Sequence, residues 1–196
     1  IPHLRPLYRL ISNGTLLTGQ IAQYLEDHNV DMIISIDGDK SAHDNNRPFA
    51  NGGSTWETIW DRINLLSLKY RENNLSVSSV YEETLSLKNW DVLLKKLNEH
   101  NIFFWTLNIN NLTTLENPEE TAGKIIELRN YAKSKYNIVV SGKWATPAAN
   151  IRAGNRYNAI CSAAGRNRIF FQPDGSVAFC DYDPRKLSSV VKIEDY

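Results

Sequence analysis

The sequence is poor in cysteine and has no excess of charge of either sign. Its 196 residues include two cysteines, and 22 basic residues balance 22 acidic ones. Two cysteines are too few for a secreted domain held together by disulfides, and they are compatible with a reducing cytosol. A balanced charge provides no basic footprint for nucleic acid or an anionic membrane. We therefore expect a cytoplasmic protein that binds neither.

Long hydrophobic runs are also absent. The longest strongly apolar burst, Ile102 to Trp105, is far short of the roughly 18 residues that a membrane span needs. No charged segment followed by an apolar one indicates a secretion signal. With 42% hydrophobic and 22% charged residues, the chain can still build a core.

What the sequence does contain is a repeated alternation of apolar bursts and amphipathic helical patterns. Four strands are predicted, at residues 7–12, 32–36, 75–81 and 102–109. Each is followed by a helical pattern after a short connection, which favours an α/β fold with helices packed on a parallel sheet. We expect about four strand–helix units in an open, curved sheet, with ligands beyond the carboxyl ends of the strands.

Local signals refine this outline. Thr18 is a predicted N-cap, Ser54–Glu57 has the spacing of a capping box, and Asn117–Glu120 has the features of a helix start. Residues 39–53 are predicted to be a polar loop. The apolar positions predict a core that includes Trp56, Trp60, Trp90, Trp105, Ile125, Ile126 and Ala132.

The tail differs from the rest, and a boundary is predicted near residue 140, giving domains 1–140 and 141–196. Pro173-Asp174-Gly175 separates two β-type runs and predicts a small hairpin, which Cys161 and Cys180 flank. The two cysteines have three interpretations: buried thiols, a disulfide across the hairpin, or ligands of a metal or iron–sulfur cluster. Two thiolates do not complete a four-ligand site, so the last interpretation requires further ligands.

Polar residues follow the second predicted strand. Ser35 and Asp37 could meet a polar ligand there, although Asp37 could equally cap the turn with Gly38. In the next loop His43, Asp44 and Arg47 could serve in acid–base chemistry or carboxylate binding, or could belong to a solvated surface loop. No Walker or G-x-G-x-x-G motif follows any strand, which disfavours a nucleotide-phosphate site.

Three stretches together resemble the radical S-adenosylmethionine (SAM) enzymes that carry the cluster-binding extension called SPASM, such as anaerobic sulfatase-maturating enzymes and ribosomal-peptide maturases. The first, Ile11–Thr18, is similar to the family's third barrel strand and the turn after it. The second is similar to the fourth strand, its loop and the next helix. The third, Cys161 and Cys180 with Gly175 between them, fits the opening half of the SPASM signature. The second stretch consists of Ile34–Gly38, His43–Arg47 and Gly53–Thr55.

The resemblance implies a partial (β/α) barrel followed by the start of a SPASM region. It implies that Ser35 lies at the SAM ribose site with Asn13 near the same pocket, and that Asp37 and Arg47 lie beside the SAM or substrate cavity. Cys161 and Cys180 would bind an auxiliary [4Fe-4S] cluster. In the parent reaction a reduced cluster cleaves SAM to a 5′-deoxyadenosyl radical, which abstracts hydrogen from a residue of a peptide or protein substrate.

The family's CxxxCxxC motif and its glycine-rich SAM-binding segment are not in this sequence, which begins at the third barrel strand of the resemblance. The later SPASM cysteines are missing too. We therefore expect this chain to be part of a longer enzyme, inactive by itself and completed by the missing N-terminal and C-terminal portions. The alternatives are a truncated pseudo-enzyme that binds a peptide or partner at an exposed sheet edge, and an unrelated α/β enzyme with a disulfide across its hairpin.

Overall fold

The computed structural model describes residues 8–109 and 117–142, together with the backbone of 170–171 and 177–178. The chain divides into two compact units, Ile1–Trp144 and Ala145–Tyr196. The identification of residues 141–196 as the start of a SPASM region remains a prediction.

The first unit contains a parallel sheet whose strand order follows the chain. The strands are β1 (Arg9–Ser12), β2 (Asp31–Ser35), β3 (Leu75–Tyr81), β4 (Phe104–Ile109) and β5 (Val139–Ser141). Within the described residues the sheet is open, because β1 and β5 each pair with a single neighbour. The predicted α/β fold is confirmed. The fifth strand was not predicted, because three residues are too few to show a hydrophobic period.

Six helices connect the strands of this unit in its described part. Thr18 and Asn117 cap α1 and α6 through their side chains, as predicted. The predicted polar loop 39–53 is wrong in part, because it contains α2, capped by Asp39. Helix α4 was also missed. The helices are α1 (Gly19–Asp27), α2 (Lys40–Asn46), α3 (Trp56–Ile63), α4 (Leu68–Asn73), α5 (Leu87–Glu99) and α6 (Pro118–Tyr136).

The core lies on one face of the sheet. Side chains alternate between faces along a strand, and from Leu75 to Tyr81 every second residue is buried. The four tryptophans predicted for the core are all buried, whereas Ile126, also predicted to be buried, is 53% exposed. Ile126 follows Ile125 directly, so the two side chains lie about 100° apart around the helix and only one faces the sheet.

The opposite face of the sheet carries small polar residues. The register places Ser35 beside Ser78, Ser78 beside Thr106, and Thr106 beside Ser141. These four residues, here called the hydroxyl row, therefore cross four neighbouring strands on the face that does not carry the core. All four retain at least partial exposure.

In the second unit, the backbones of β6 (Phe170–Phe171) and β7 (Val177–Ala178) form an antiparallel pair. The two strands of the predicted hairpin are confirmed. Its turn residues, and the predicted cluster ligands Cys161 and Cys180, lie outside the described residues. In the part of the chain that is described, no helix has the length and apolarity that crossing a membrane requires.

Candidate functional site

Two of the predicted site residues, Asn13 and Ser35, lie at the carboxyl ends of β1 and β2. Asn13 comes after the last residue of β1, and its Oδ1 accepts hydrogen bonds from the backbone N and the hydroxyl of Thr15, at 3.2 and 3.0 Å. The next residue, Gly14, has a φ of +77°, which turns the chain toward α1. The Asn13 amide nitrogen remains available at an exposed turn.

Ser35 is the last residue of β2 and the first member of the hydroxyl row. Ser12 is in register with Ile34, so Asn13 continues from β1 beside Ser35. No hydrogen bond joins the Ser35 hydroxyl to another described residue. Its neighbour Ser78 accepts a long hydrogen bond of 3.4 Å from Asn108 Nδ2. The hydroxyl of Ser35 is therefore free to meet a ligand on this face.

Asp37 is buried, and both of its carboxylate oxygens accept hydrogen bonds inside the protein. Its side chain is 2% exposed, and its Oδ1 accepts from the backbone N of Val80 at 2.9 Å. Its Oδ2 accepts from Arg47 Nε at 2.6 Å. A buried carboxylate is tolerated when it is paired and hydrogen-bonded in this way. Asp37 thus joins the end of β2 to β3 and holds Arg47 in place.

Arg47 retains the donors that a ligand could use. Only its Nε contacts Asp37, and the side chain is 31% exposed. The guanidinium presents five donors in a planar fork, so the donors on the two terminal nitrogens remain available to a ligand. Arg47 lines a cavity of about 240 Å³ with Asn13, Thr15, Phe49 and Ala50 among its other walls. The structure thus brings Asn13 and Arg47 to one cavity.

His43 supports the Arg47 loop from inside. The backbone N–H of Asp37 donates to His43 Nδ1 at 3.2 Å, and the Thr55 hydroxyl donates to the Arg47 carbonyl at 2.6 Å. Because that hydroxyl hydrogen is used, Thr55 Oγ1 accepts from His43 Nε2–H at 3.0 Å. One neutral tautomer, with hydrogen on Nε2, satisfies every contact.

The burial of His43 is complete, at 0% exposure. The interpretation of this residue as part of a solvated surface loop is therefore wrong. Desolvation by burial lowers the pKa of His43, and the nearby carboxylates of Asp37 and Asp44 oppose this effect without overcoming it. The imidazole is neutral, and both its nitrogens are engaged inside the protein.

Asp44 caps α3 from the preceding helix. Its Oδ1 accepts from the backbone N of Thr55 and of Trp56, at 3.0 and 3.1 Å. Its Oδ2 accepts from the Ser54 hydroxyl at 2.6 Å. The capping box predicted for Ser54–Glu57 is therefore wrong, because Thr55 is the N-cap residue and makes no side-chain capping bond. The Asp44 carboxylate takes that place.

The predicted residues thus divide into two groups. Asn13 and Arg47 line one cavity, Asp37 holds Arg47 from behind, and Ser35 lies on the sheet face next to Asn13 without lining that cavity. The sequence reasoning missed Thr55, whose hydroxyl completes the network. Its position next to Ser54 in a predicted capping box drew the interpretation toward helix capping instead.

Among the described residues, no group of three or more His, Cys, Asp or Glu side chains could hold a metal ion. Both cysteines of the sequence lie outside this part of the chain. The described residues therefore do not fit a [4Fe-4S] cluster. The available hydroxyl of Ser35, the amide of Asn13 and the guanidinium of Arg47 do fit a ligand that carries hydroxyls and a carboxylate, as SAM does.

Comparisons with known proteins find similarity in sequence and in fold. No protein-family model matches the chain. The chain is 29% identical over 181 residues to the radical SAM cyclopropyl synthase TigE of Paramaledivibacter caminithermalis, a match that covers 88% of this chain and 36% of TigE. The predicted resemblance to radical SAM enzymes is confirmed in sequence.

Solved structures of native anSMEcpe match the fold. The form with bound AdoMet has a TM-score of 0.70 and 20% identity, covering 96% of this chain and 56% of that chain. The form that also binds the Kp18Cys peptide has a TM-score of 0.68, again with 20% identity. The predicted partial barrel is confirmed as a fold. The chain spans about a third of the length of TigE and about half of anSMEcpe.

Proposed function

We propose that this chain is part of a radical SAM enzyme that modifies a peptide or protein, and that it supplies one side of the SAM pocket. The observation that carries the proposal is that Asn13 and Arg47 line one cavity at the carboxyl edge of β1 and β2, with Ser35 at the end of β2 beside Asn13. The similarity to TigE and to AdoMet-bound anSMEcpe supports it. In the whole enzyme, SAM supplies the 5′-deoxyadenosyl radical that abstracts hydrogen from the substrate.

The residues of this chain bind and orient SAM in the proposal. The Ser35 hydroxyl hydrogen-bonds the ribose, and Asn13 contributes its amide nitrogen from the neighbouring turn. Arg47 lines the cavity, where its terminal nitrogens would favour a carboxylate of SAM or of the substrate. Asp37 and His43 are positioning residues, since their contacts fix the Arg47 loop and reach no ligand.

The cluster assignments remain part of the proposal. Cys161 and Cys180 would be thiolate ligands of an auxiliary [4Fe-4S] cluster, because thiolates are the usual ligands of such clusters. Both cysteines flank the β6–β7 hairpin in the sequence. The SAM-cleaving cluster would come from a portion of the enzyme outside this sequence, so the chain alone is inactive.

Ser35→Ala tests the SAM pocket. We expect SAM binding by the chain, measured by isothermal titration calorimetry, to weaken about fivefold, which corresponds to one hydrogen bond of ~1 kcal/mol. The matched control is Ser76→Ala, which removes a partly exposed hydroxyl from the same sheet face, two residues before Ser78 in β3. It should leave the SAM affinity unchanged.

Two results would contradict the proposal. One is equal SAM affinity in the unsubstituted chain and in Ser35→Ala, or equal losses in Ser35→Ala and Ser76→Ala. The other concerns inactivity: production of 5′-deoxyadenosine by the isolated chain, after anaerobic cluster reconstitution, would show that it cleaves SAM without further portions.

A second candidate function rests on the exposed edge of the sheet. Strand β1 pairs only with β2 among the described residues, and Leu10 and Ile11 are 40% and 68% exposed. Exposed strand edges recruit partner strands, which supports a truncated homologue that binds a peptide. An upstream reading frame that encodes CxxxCxxC would support the enzyme, and a native translation start near Ile1 would support the binding module.

A further inference from the structure

A second cavity, of about 260 Å³, lies between the loop after β3 and helices α5 and α6. It shares no lining residue with the Arg47 cavity. Its volume is several times the ~30 Å³ of a water molecule. Its walls include the buried rings of Tyr81 and Trp90, the first turn of α5 and, from α6, Lys124 and Glu127.

Two of the lining residues carry a hydrogen-bonding group without a partner among the described residues. The Tyr81 hydroxyl and the Trp90 Nε1 are both buried and make no hydrogen bond there. Tyr81 is 7% exposed and Trp90 is 2% exposed, and their rings stack with centroids 6.2 Å apart. A buried donor without a partner costs about 1–3 kcal/mol, so two of them on one cavity point to an occupant that accepts hydrogen bonds.

The charges around the cavity select the kind of acceptor. Among its described lining residues, Glu83 and Glu127 occur with one cation, Lys124, which already pairs with Glu120 at 2.7 Å. Burial raises the pKa of Tyr81, and the charges of Lys124, Glu83 and Glu120 have smaller effects on it, so the Tyr81 hydroxyl keeps its proton and remains a donor. A carboxylate would meet an excess of negative charge there, whereas a neutral carbonyl would not.

The first turn of α5 adds a preference for an acceptor, because Ser86 and Leu87 line the cavity where a 13-residue helix begins. The Glu127 carboxylate, in turn, can accept from an N–H group. An occupant with a neutral carbonyl and an N–H would therefore provide an acceptor for the unpartnered donors and a donor for Glu127.

We propose that the cavity between β3, α5 and α6 binds a neutral amide, either a side-chain carboxamide or a peptide bond. Its carbonyl accepts from the Tyr81 hydroxyl and the Trp90 indole, and its N–H donates to Glu127. No part of this site depends on SAM or on a cluster, so the test of this proposal is independent of the test of the proposed function.

Propionamide and propionate form a matched pair of probes, because they have nearly the same shape and differ in charge. The readout is the indole ¹H–¹⁵N signal of Trp90 in the ¹⁵N-labelled chain, assigned through Trp90→Phe. We expect propionamide to shift this signal, and propionate at equal concentration to leave it in place. Tyr81→Phe should weaken propionamide binding about fivefold, the effect of one hydrogen bond.

Trp60 provides the internal control. Its Nε1 is also buried and has no hydrogen-bond partner in the described part of the chain, but Trp60 does not line this cavity. Its indole signal should therefore stay fixed in every titration. The proposal is overturned if neither probe moves the Trp90 signal, if propionate moves it as much as propionamide does, or if the Trp60 signal moves with it. Unchanged affinity in Tyr81→Phe would also overturn it.

Discussion

Gly38 shows how a single residue shapes the loop that carries Arg47. It follows Asp37 and has a φ of +50°, in the region that favours glycine. A Cβ at this position would lie 2.6 Å from Leu85 Cδ1 and 3.2 Å from the Cβ of Ala42. The turn after β2 therefore requires glycine both for its backbone and for the space that Leu85 occupies.

Gly38→Ala should destabilise the protein by about 2–3 kcal/mol, the sum of left-handed strain and overpacking. Chemical denaturation followed by tryptophan fluorescence measures this change. Gly52→Ala is the matched control, because Gly52 has a φ of +80° and a Cβ there would meet nothing within 4 Å. Equal losses in the two variants would show that the contact with Leu85 adds nothing.

Residue roles were the part of the site that the sequence predicted least well. The residue types of Ser35, Asp37, His43 and Arg47 directed the prediction to a segment of the chain that the structure places beside a cavity. Sequence proximity could not show that Asp37 and His43 face inward, since that depends on Val80 and Thr55, which come from other segments. Burial depends on how the elements assemble. Polar residues after a strand form the same sequence pattern whether their side chains face the interior or a ligand.

At the scale of elements, α3 depends on a cap from its neighbour. Asp44, in α2, accepts hydrogen bonds from the first backbone N–H groups at the start of α3. Burial alone would raise the pKa of Asp44, but hydrogen bonds from Ser54 and from the backbone of Trp56 and Thr55 lower it overall. The carboxylate therefore stays ionised and favours the helix N-terminus.

Asp44→Ala should cost about 1–2 kcal/mol of unfolding free energy, the usual effect of losing a helix cap. Asp61→Ala is the control within α3, because Asp61 is exposed and lies near the carboxyl end of that helix, away from its N-terminus. Its effect should stay within about 0.5 kcal/mol. Circular dichroism during urea denaturation gives both values. A loss as small as that of the control would mean that water replaces the cap.

The elements themselves were largely predictable from the sequence. Strand β3 was predicted with the bounds that the structure shows, and the start of α6 follows from Asn117 and Pro118. In contrast, α2 was missed because Lys40–Asn46 has no apolar period, and its helix depends on the Asp39 cap and on contacts with α3 and α5. Asn89 Nδ2, for example, donates to Asp39 Oδ2 at 2.7 Å.

At the scale of the whole molecule, buried histidines tie stability to pH. Desolvation lowers the pKa of both His43 and His100 below the ordinary value of 6.5. In the unfolded chain these imidazoles take up protons near that value, whereas in the folded chain they resist protonation. Below pH 6.5 the unfolded state therefore binds more protons, and the free energy of unfolding falls as the pH falls.

His43→Asn isolates the contribution of His43 to the pH dependence of stability, because asparagine does not titrate between pH 5 and 7.5. We expect this variant to be less stable at pH 7.5, since the contacts with Asp37 and Thr55 change, but to lose less stability than the unsubstituted chain between pH 7 and 5. The control is His28→Asn at an exposed helix end, which should keep the full loss. Urea denaturation at a series of pH values measures the slopes. If His43→Asn kept the same slope as the unsubstituted chain, the burial of a neutral His43 would make no contribution to the acid sensitivity of the fold.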